Sequence, residues 1–223
     1  MRNNIWLLAL SAFLVVTIGC SQTSSQASSK ATSEKKAPQT EINSEGLQKA
    51  YFASGCFWCV EAVYESVKGV KESISGYSGG HTDNPTYELS NTGKTGHAEA
   101  VEIYYDSSVV SFATLVDVYF GSQNITQVNG QGPDRGSQYR SIIFYQNEAE
   151  KKIIDAKVAA LNEKLAPEKV AAEVKPFEKF WIGEDYHQNY ERLHPNQGYI
   201  QAVSIPRLKR FQKKFPELIK EGH

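Results

Sequence analysis

The sequence predicts an α+β domain, a mixed β-sheet with helices packed on it. Two observations carry that prediction. Apolar residues switch repeatedly between strand-like alternation and helical spacing, in the order strand–helix–strand–strand–helix–strand–helix–strand. The 223 residues are also 40% hydrophobic and 11% aromatic, enough to build one core. No internal repeat points to a solenoid.

Each element can be justified in order. Residues 47–55 (LQKAYFASG) read as a strand ending at Gly55. From Cys56 the spacing turns helical, with Val60, Val63, Tyr64 and Val67 recurring and Gly69 as a stop. Residues 70–80 form a second strand that runs into a polar, glycine-rich loop reaching Gly96. Residues 97–106 (HAEAVEIYYD) alternate as a third strand, and residues 111–122 are helical with Ser111 as the cap. Residues 123–138 lack periodicity, and so long a loop in a small domain points to function. A strand at 139–145, a charged amphipathic helix at 147–165 and a strand at 171–177 follow. The basic C-terminal stretch IPRLKRFQKKFPELIKEG is helical in part and interrupted at Pro216, and its charges read as a solvated face.

The formal net charge of −1 gives no electrostatic footprint for nucleic acid. The N-terminus differs from the rest. Arg2 is the only charged side chain before an apolar run from Ile5 to Ile18, which reads as a secretory h-region. The run ends in Thr17-Ile18-Gly19-Cys20, which resembles a bacterial lipoprotein signal, although Thr17 stands where leucine is usual. Residues 1–20 are therefore read as a lipoprotein-type signal peptide ending at an acylated Cys20. Residues 21–46, rich in Ser, Thr, Gln, Lys and Ala, read as a flexible tether, and 47–223 as the folded domain. The expected location is the bacterial cell envelope, exported, with the lipid anchor as the sole membrane attachment.

Three cysteines are present: Cys20, Cys56 and Cys59. The last two close too small a loop for a worthwhile staple. They also supply only half of a tetrahedral zinc site, and no histidine pair has metal-binding spacing. Redox chemistry remains. A helix N-terminus offers free N–H groups and positive potential, so Cys56 is expected to have a lowered pKa, with Cys59 one turn on as its partner. Phe57 and Trp58 look like the walls of an apolar pocket. A thioredoxin-like disulfide oxidoreductase is the alternative, but such enzymes usually place small residues between the cysteines and a Trp before the first. Here Ser54-Gly55 precede Cys56.

Gly55-Cys56-Phe57-Trp58 resembles the signature of the peptide methionine sulfoxide reductase A family. Further blocks share the likeness in order: Gly76-Tyr77-Ser78-Gly79-Gly80, Asn84-Pro85-Thr86-Tyr87, Gly96-His97-Ala98-Glu99-Ala100-Val101, Asp134 with Gly136-Ser137-Gln138-Tyr139-Arg140-Ser141, and Glu184-Asp185-Tyr186-His187-Gln188. Together they span roughly Lys49 to Gly198.

The resemblance implies a two-layer sandwich of ferredoxin-like character with additional C-terminal loops and a helix. It implies thiol-dependent reduction of methionine S-sulfoxide, free or in proteins, as repair of oxidised proteins. No metal or prosthetic cofactor is implied, only an external thioredoxin or other dithiol, and the chain is expected to act as a monomer. Cys56 is then the nucleophile and Glu99 the acid that protonates the sulfoxide oxygen. Tyr87 and Tyr139 hydrogen-bond that oxygen, Asp134 orients the site, and Phe57 and Trp58 wall the methyl niche. His97 reads as structural, while His187 reads either as the floor of the site or as a core residue. Many family members carry glycine where this chain has Cys59 and use later cysteines. No cysteine follows Cys59 here, so Cys59 is expected to resolve the sulfenic acid.

Overall fold

A six-stranded sheet frames the domain in the computed structural model, which describes residues 44–223. The expected signal peptide, the expected acylation site Cys20 and the expected tether up to residue 43 lie outside the described residues. In chain order the elements are β1 (Gln48–Ala53), α1 (Phe57–Glu65), β2 (Val70–Ser78), α2 (Tyr87–Asn91), β3 (Ala98–Tyr105), α3 (Phe112–Gly121), β4 (Gly130–Gln131), β5 (Asp134–Arg135), β6 (Ile142–Tyr145), α4 (Glu148–Leu165), β7 (Glu173–Pro176), β8 (Phe180–Ile182), α5 (Tyr190–Leu193) and α6 (Ile205–Lys214).

The sheet order is β7-β6-β1-β3-β2-β8. Only β6 and β7 pair in parallel, so the sheet is mixed. Strand β3 lies between β1 and β2, which α1 connects, and β1 lies between β3 and β6, which α3 connects along the chain. These two interleaved units are the ferredoxin-like core. Strand β7 extends the β6 edge and β8 the β2 edge.

The pleat sorts side chains between two apolar clusters. Ala50 and Phe52 of β1, with Val101, Ile103 and Tyr105 of β3, pack against Val60 and Val63 of α1 and Leu115 and Val118 of α3. Leu115 is fully buried, and truncating it to alanine would cost about 2–5 kcal/mol. The opposite face holds Tyr51, Ala53, Ala98, Ala100, Ile142 and Phe144 under Phe177 and Phe180. Tyr51 stacks on Phe177 with ring centroids 3.6 Å apart. Two-residue periodicity places Glu99 with Val101 and Ile103, on the helix-covered face.

Several local readings change. The polar loop before Gly96 contains α2, capped by Thr86 Oγ1, which accepts from Leu89 N at 3.3 Å. The stretch 123–138 carries the β4–β5 hairpin and a 3-10 turn at Ser137–Tyr139, so Tyr139 precedes strand β6 rather than opening it. Strand β8 escaped notice because three residues cannot show a period. The C-terminal basic run is not wholly solvated: Arg207 is 7% exposed, whereas Lys209, Arg210, Lys213 and Lys214 are exposed. Its guanidinium donates to Ser54 O and Ser54 Oγ, both at 2.8 Å, and to Ser122 O at 2.9 Å. Three acceptors at the end of β1 and the end of α3 draw it inward.

Candidate active site

The β1–α1 turn sets the site. Gly55 has φ +82, and a Cβ there would lie 2.4 Å from Gln131 Cβ, so glycine is needed for both conformation and space. Cys56 is the N-cap of α1, and its side chain makes no capping bond. The first-turn amide of Phe57 instead donates to Glu99 Oε2 at 2.9 Å, so a carboxyl from β3 serves the helix end.

Around this junction lies a cleft of about 290 Å³. Cys56, Phe57 and Trp58 come to it from the head of α1, Tyr87 from α2, Glu99 from β3, Asp134 from β5 and Tyr139 from the 3-10 turn. Gln197 and Tyr199 from the C-terminal segment complete the lining. Every residue given a catalytic or wall role from the sequence, except Cys59, thus borders one space. Cys59 is buried one turn along α1 and lines a separate groove instead. Cys20 lies outside the described residues.

The aromatic wall is held from behind. Trp58 stacks on Tyr190 at 3.8 Å and 8°, and its Nε1 donates to His187 Nδ1 at 3.1 Å. His187 is 1% exposed, and burial pushes its pKa down to about 4, against the pull of Glu184. It is therefore neutral and free to accept at Nδ1. This answers the open reading of His187: it supports a wall of the cleft. Glu184 accepts from Tyr77 Oη and from the backbone N–H of Tyr87, both at 2.8 Å, and so anchors the start of α2. His97 stays away from the cleft and ties the glycine turn through Gly80 N and Thr82 O. Arg140 gathers the carbonyls of Gly79, Gly96 and Ser137, which fixes the turn bearing Tyr139.

The charges follow from burial. Glu99 is 2% exposed, and burial pushes its pKa up to about 8, with Asp134 and Cys59 adding to the rise against the Phe57 N–H. Its carboxyl is mostly protonated at neutral pH. Cys56 departs from the expected lowered pKa. Burial pushes its thiol well up, and nearby Cys59 and Glu99 push the same way. Cys59 carries the lowered pKa instead, about 7, through the hydrogen bond from Cys56, then the charge of Arg207, and contacts from Ser204 and Tyr199. Tyr199 Oη donates to Asp134 Oδ2 at 2.6 Å and lies 3.7 Å from Cys59 Sγ.

Sequence reasoning missed Tyr199, Gln197, Tyr190 and Arg207. They lie in irregular segments or in a charge run whose pattern carries no sign of which members turn inward. Among the described residues no cluster of three or more His, Cys, Asp or Glu could hold a metal ion, and no helix is long and apolar enough to cross a membrane.

Known proteins resemble this chain in sequence and fold. The family described as Peptide methionine sulfoxide reductase matches residues 48–219. The peptide methionine sulfoxide reductase MsrA of Pasteurella multocida (strain Pm70) is 45% identical over 173 residues, covering 78% of this chain and 99% of the relative. The MsrA of Saccharolobus solfataricus is 44% identical over 174 residues, 78% of this chain and 98% of the relative. Among solved structures, methionine sulfoxide reductase A of Corynebacterium diphtheriae superposes with a TM-score of 0.62 at 30% identity, covering 68% of this chain and 77% of that one. Mxr1 from Saccharomyces cerevisiae in reduced form gives 0.61 at 28%, covering 73% and 91%. A cysteine at a helix head beside a protonated buried carboxyl, on a chain so closely matched along its folded length, belongs to the peptide methionine sulfoxide reductase A family and makes the protein a thiol-dependent methionine sulfoxide reductase.

Proposed function

We propose that Cys56 attacks the sulfur of a methionine sulfoxide held in the cleft while Glu99 protonates its oxygen. The observation that carries this reading is the pairing of a nucleophilic thiol with a carboxyl kept protonated near neutral pH in one small cleft. Sulfoxide sulfur becomes electrophilic only when its oxygen is protonated or strongly hydrogen-bonded. Tyr87 and Tyr139 border the cleft as further donors to that oxygen, and burial raises both phenols so that they keep their protons. Phe57 and Trp58 receive the S-methyl group. Asp134 acts through Tyr199 to orient the cleft.

The raised pKa of Cys56 keeps it a thiol in the empty cleft. Its thiolate develops opposite the positive end of the S–O dipole, as Glu99 gives a proton to oxygen and recovers the one that Cys56 loses. Methionine leaves, and Cys56 becomes a sulfenic acid. Cys59, with the charge of Arg207 favouring its thiolate, then attacks that sulfur, forming the disulfide and releasing water. An external thioredoxin-like dithiol returns two electrons.

The family likeness supports selection of one sulfoxide epimer, the S form, in free methionine and in oxidised proteins. The N-terminal sequence supports an exported protein, acylated at Cys20 and held by the tether in the bacterial cell envelope, acting there as a monomer in repair. The test is an assay of the wild-type chain and Cys56→Ser on separated S and R sulfoxides with a dithiol. Wild type reduces only S, and Cys56→Ser reduces neither. Turnover by the serine variant at the wild-type rate would remove Cys56 from the reaction.

A further inference from the structure

Cys56 and Cys59 line two different spaces. Cys56 faces the 290 Å³ cleft, whereas Cys59 lines a groove of about 700 Å³ bordered by α6, the end of α3 and the β4–β5 hairpin. Asp134 is the one residue common to the two linings, and the Asp134–Tyr199 hydrogen bond stands between them. The groove is basic. Arg207, Arg210 and Lys214 stand at helical spacing along one face of α6, and all three line it. Asp134 is the single carboxylate among its lining residues.

We propose that this groove is the docking site of the reductant, a dithiol protein with acidic residues beside its nucleophilic thiol, and that the reductant attacks Cys59 rather than Cys56. The proposal rests on the reading that Cys59 closes a disulfide with Cys56. Thiol exchange needs in-line approach, with the nucleophile arriving opposite the leaving sulfur. Cys59 lines the groove, where Arg207, Arg210 and Lys214 favour an incoming thiolate, whereas Cys56 lines the substrate cleft, which is less than half as large and has no cationic side chain in its lining. Charge complementarity selects the partner: Arg210 and Lys214 are exposed at the rim and attract an acidic surface.

The exchange balances in two steps. The donor thiolate forms a bond to Cys59 Sγ, the Cys56–Cys59 bond breaks, and Cys56 leaves and is protonated. The second donor thiol, losing its proton, then attacks the donor's own sulfur in the mixed disulfide, and Cys59 leaves as a thiolate beside Arg207. The donor ends as a disulfide, two electrons oxidised, and the enzyme as a dithiol. Leaving-group acidity alone would favour first attack at Cys56. The size and cationic lining of the groove favour the other route, and Cys59 then leaves beside Arg207 in the second step.

The experiment uses the full chain with Cys20→Ser, oxidised by one equivalent of methionine sulfoxide. Peptide mapping first looks for the Cys56–Cys59 disulfide. Its formation supports the proposal, and its absence overturns both this proposal and the resolving role of Cys59. A thioredoxin probe with acidic residues beside its dithiol and its second cysteine replaced by serine then traps the mixed disulfide. Trapping at Cys59 supports the groove, while trapping at Cys56 overturns it and leaves the sulfoxide chemistry untouched. In a second arm the rim is reversed by R210E with K214E. Reduction by the intact thioredoxin probe should slow by about tenfold or more and lose its salt dependence, as expected when steering charges are removed. Reduction by neutral dithiothreitol should be unchanged. An unchanged thioredoxin rate overturns the proposal, as does slowing confined to glutathione, which would make the occupant a small anionic thiol.

Discussion

The backbone N–H of Phe57 donates to Glu99 Oε2 at 2.9 Å, joining the first turn of α1 to the central strand β3. One bond thus locates the acid beside the nucleophile. It also stabilises the charged form of Glu99, yet burial outweighs it and the carboxyl rises to about 8.

Glu99→Gln keeps the shape and the contact to Phe57 but cannot deliver a proton. Its single-turnover rate should fall by about 10²–10⁴-fold with little change in binding. The wild-type rate should decline as pH rises through about 8, and that limb should vanish in the variant. Rapid-quench assays across pH test this; a rate within about threefold of wild type would remove Glu99 as the acid.

The same group makes a prediction for stability. A carboxyl raised in the folded state holds its proton more tightly there than in the unfolded chain. Its contribution is complete at acid pH and is lost as pH rises from the ordinary 4.5 through about 8. Glu99→Gln should therefore melt progressively higher than wild type over that window. Parallel melting curves at all pH values would contradict the burial of an ionisable acid.

In a Cys20→Ser background, Cys59→Ser should release about one methionine per enzyme with thioredoxin as donor and then stall, because no other cysteine is left to act as partner thiol. Dithiothreitol must be excluded, since it can reduce a sulfenic acid directly. Sustained turnover would show that another route resolves Cys56.

Tyr199→Phe deletes the hydroxyl shared by Asp134 at 2.6 Å and Cys59 at 3.7 Å. A hydrogen bond to a charged group is worth about 1.5–3 kcal/mol. Disulfide formation should slow by about ten- to a hundredfold, while the first methionine is released nearly as fast. The lifetime of the sulfenic acid, read by dimedone trapping, should lengthen accordingly; an unchanged lifetime would leave Tyr199 with a packing role only.

Gly55→Ala should destabilise the turn. The left-handed conformation costs a residue with a Cβ about 1–2 kcal/mol, and Gln131 must also move, since its Cβ would lie 2.4 Å away. Because Gln131 ties residues 123–124 to the hairpin, the loss should reach the loop that carries Asp134. Denaturant titration together with activity checks both parts.

Local order was readable from the chain. The alternation of residues 97–106 and the helical recurrence after Cys56 are short-range patterns, and β3 and α1 appear where they predict. The family motifs named Cys56, Glu99, Tyr87 and Tyr139, because each block contains both a chemical group and the turn residues that present it. What the sequence could not supply was how distant segments compete for the same groups. Helix position alone predicts an acidic Cys56, but burial raises the thiol, with Cys59 and Glu99, a residue of the distant strand β3, pushing the same way. Arg207 reads as one more charge in a basic run until Ser54, 153 residues earlier, draws it beneath the cysteine turn. Periodicity records which residues share a face. Protonation depends on which faces meet and how much water they exclude, and folding across the whole chain decides both.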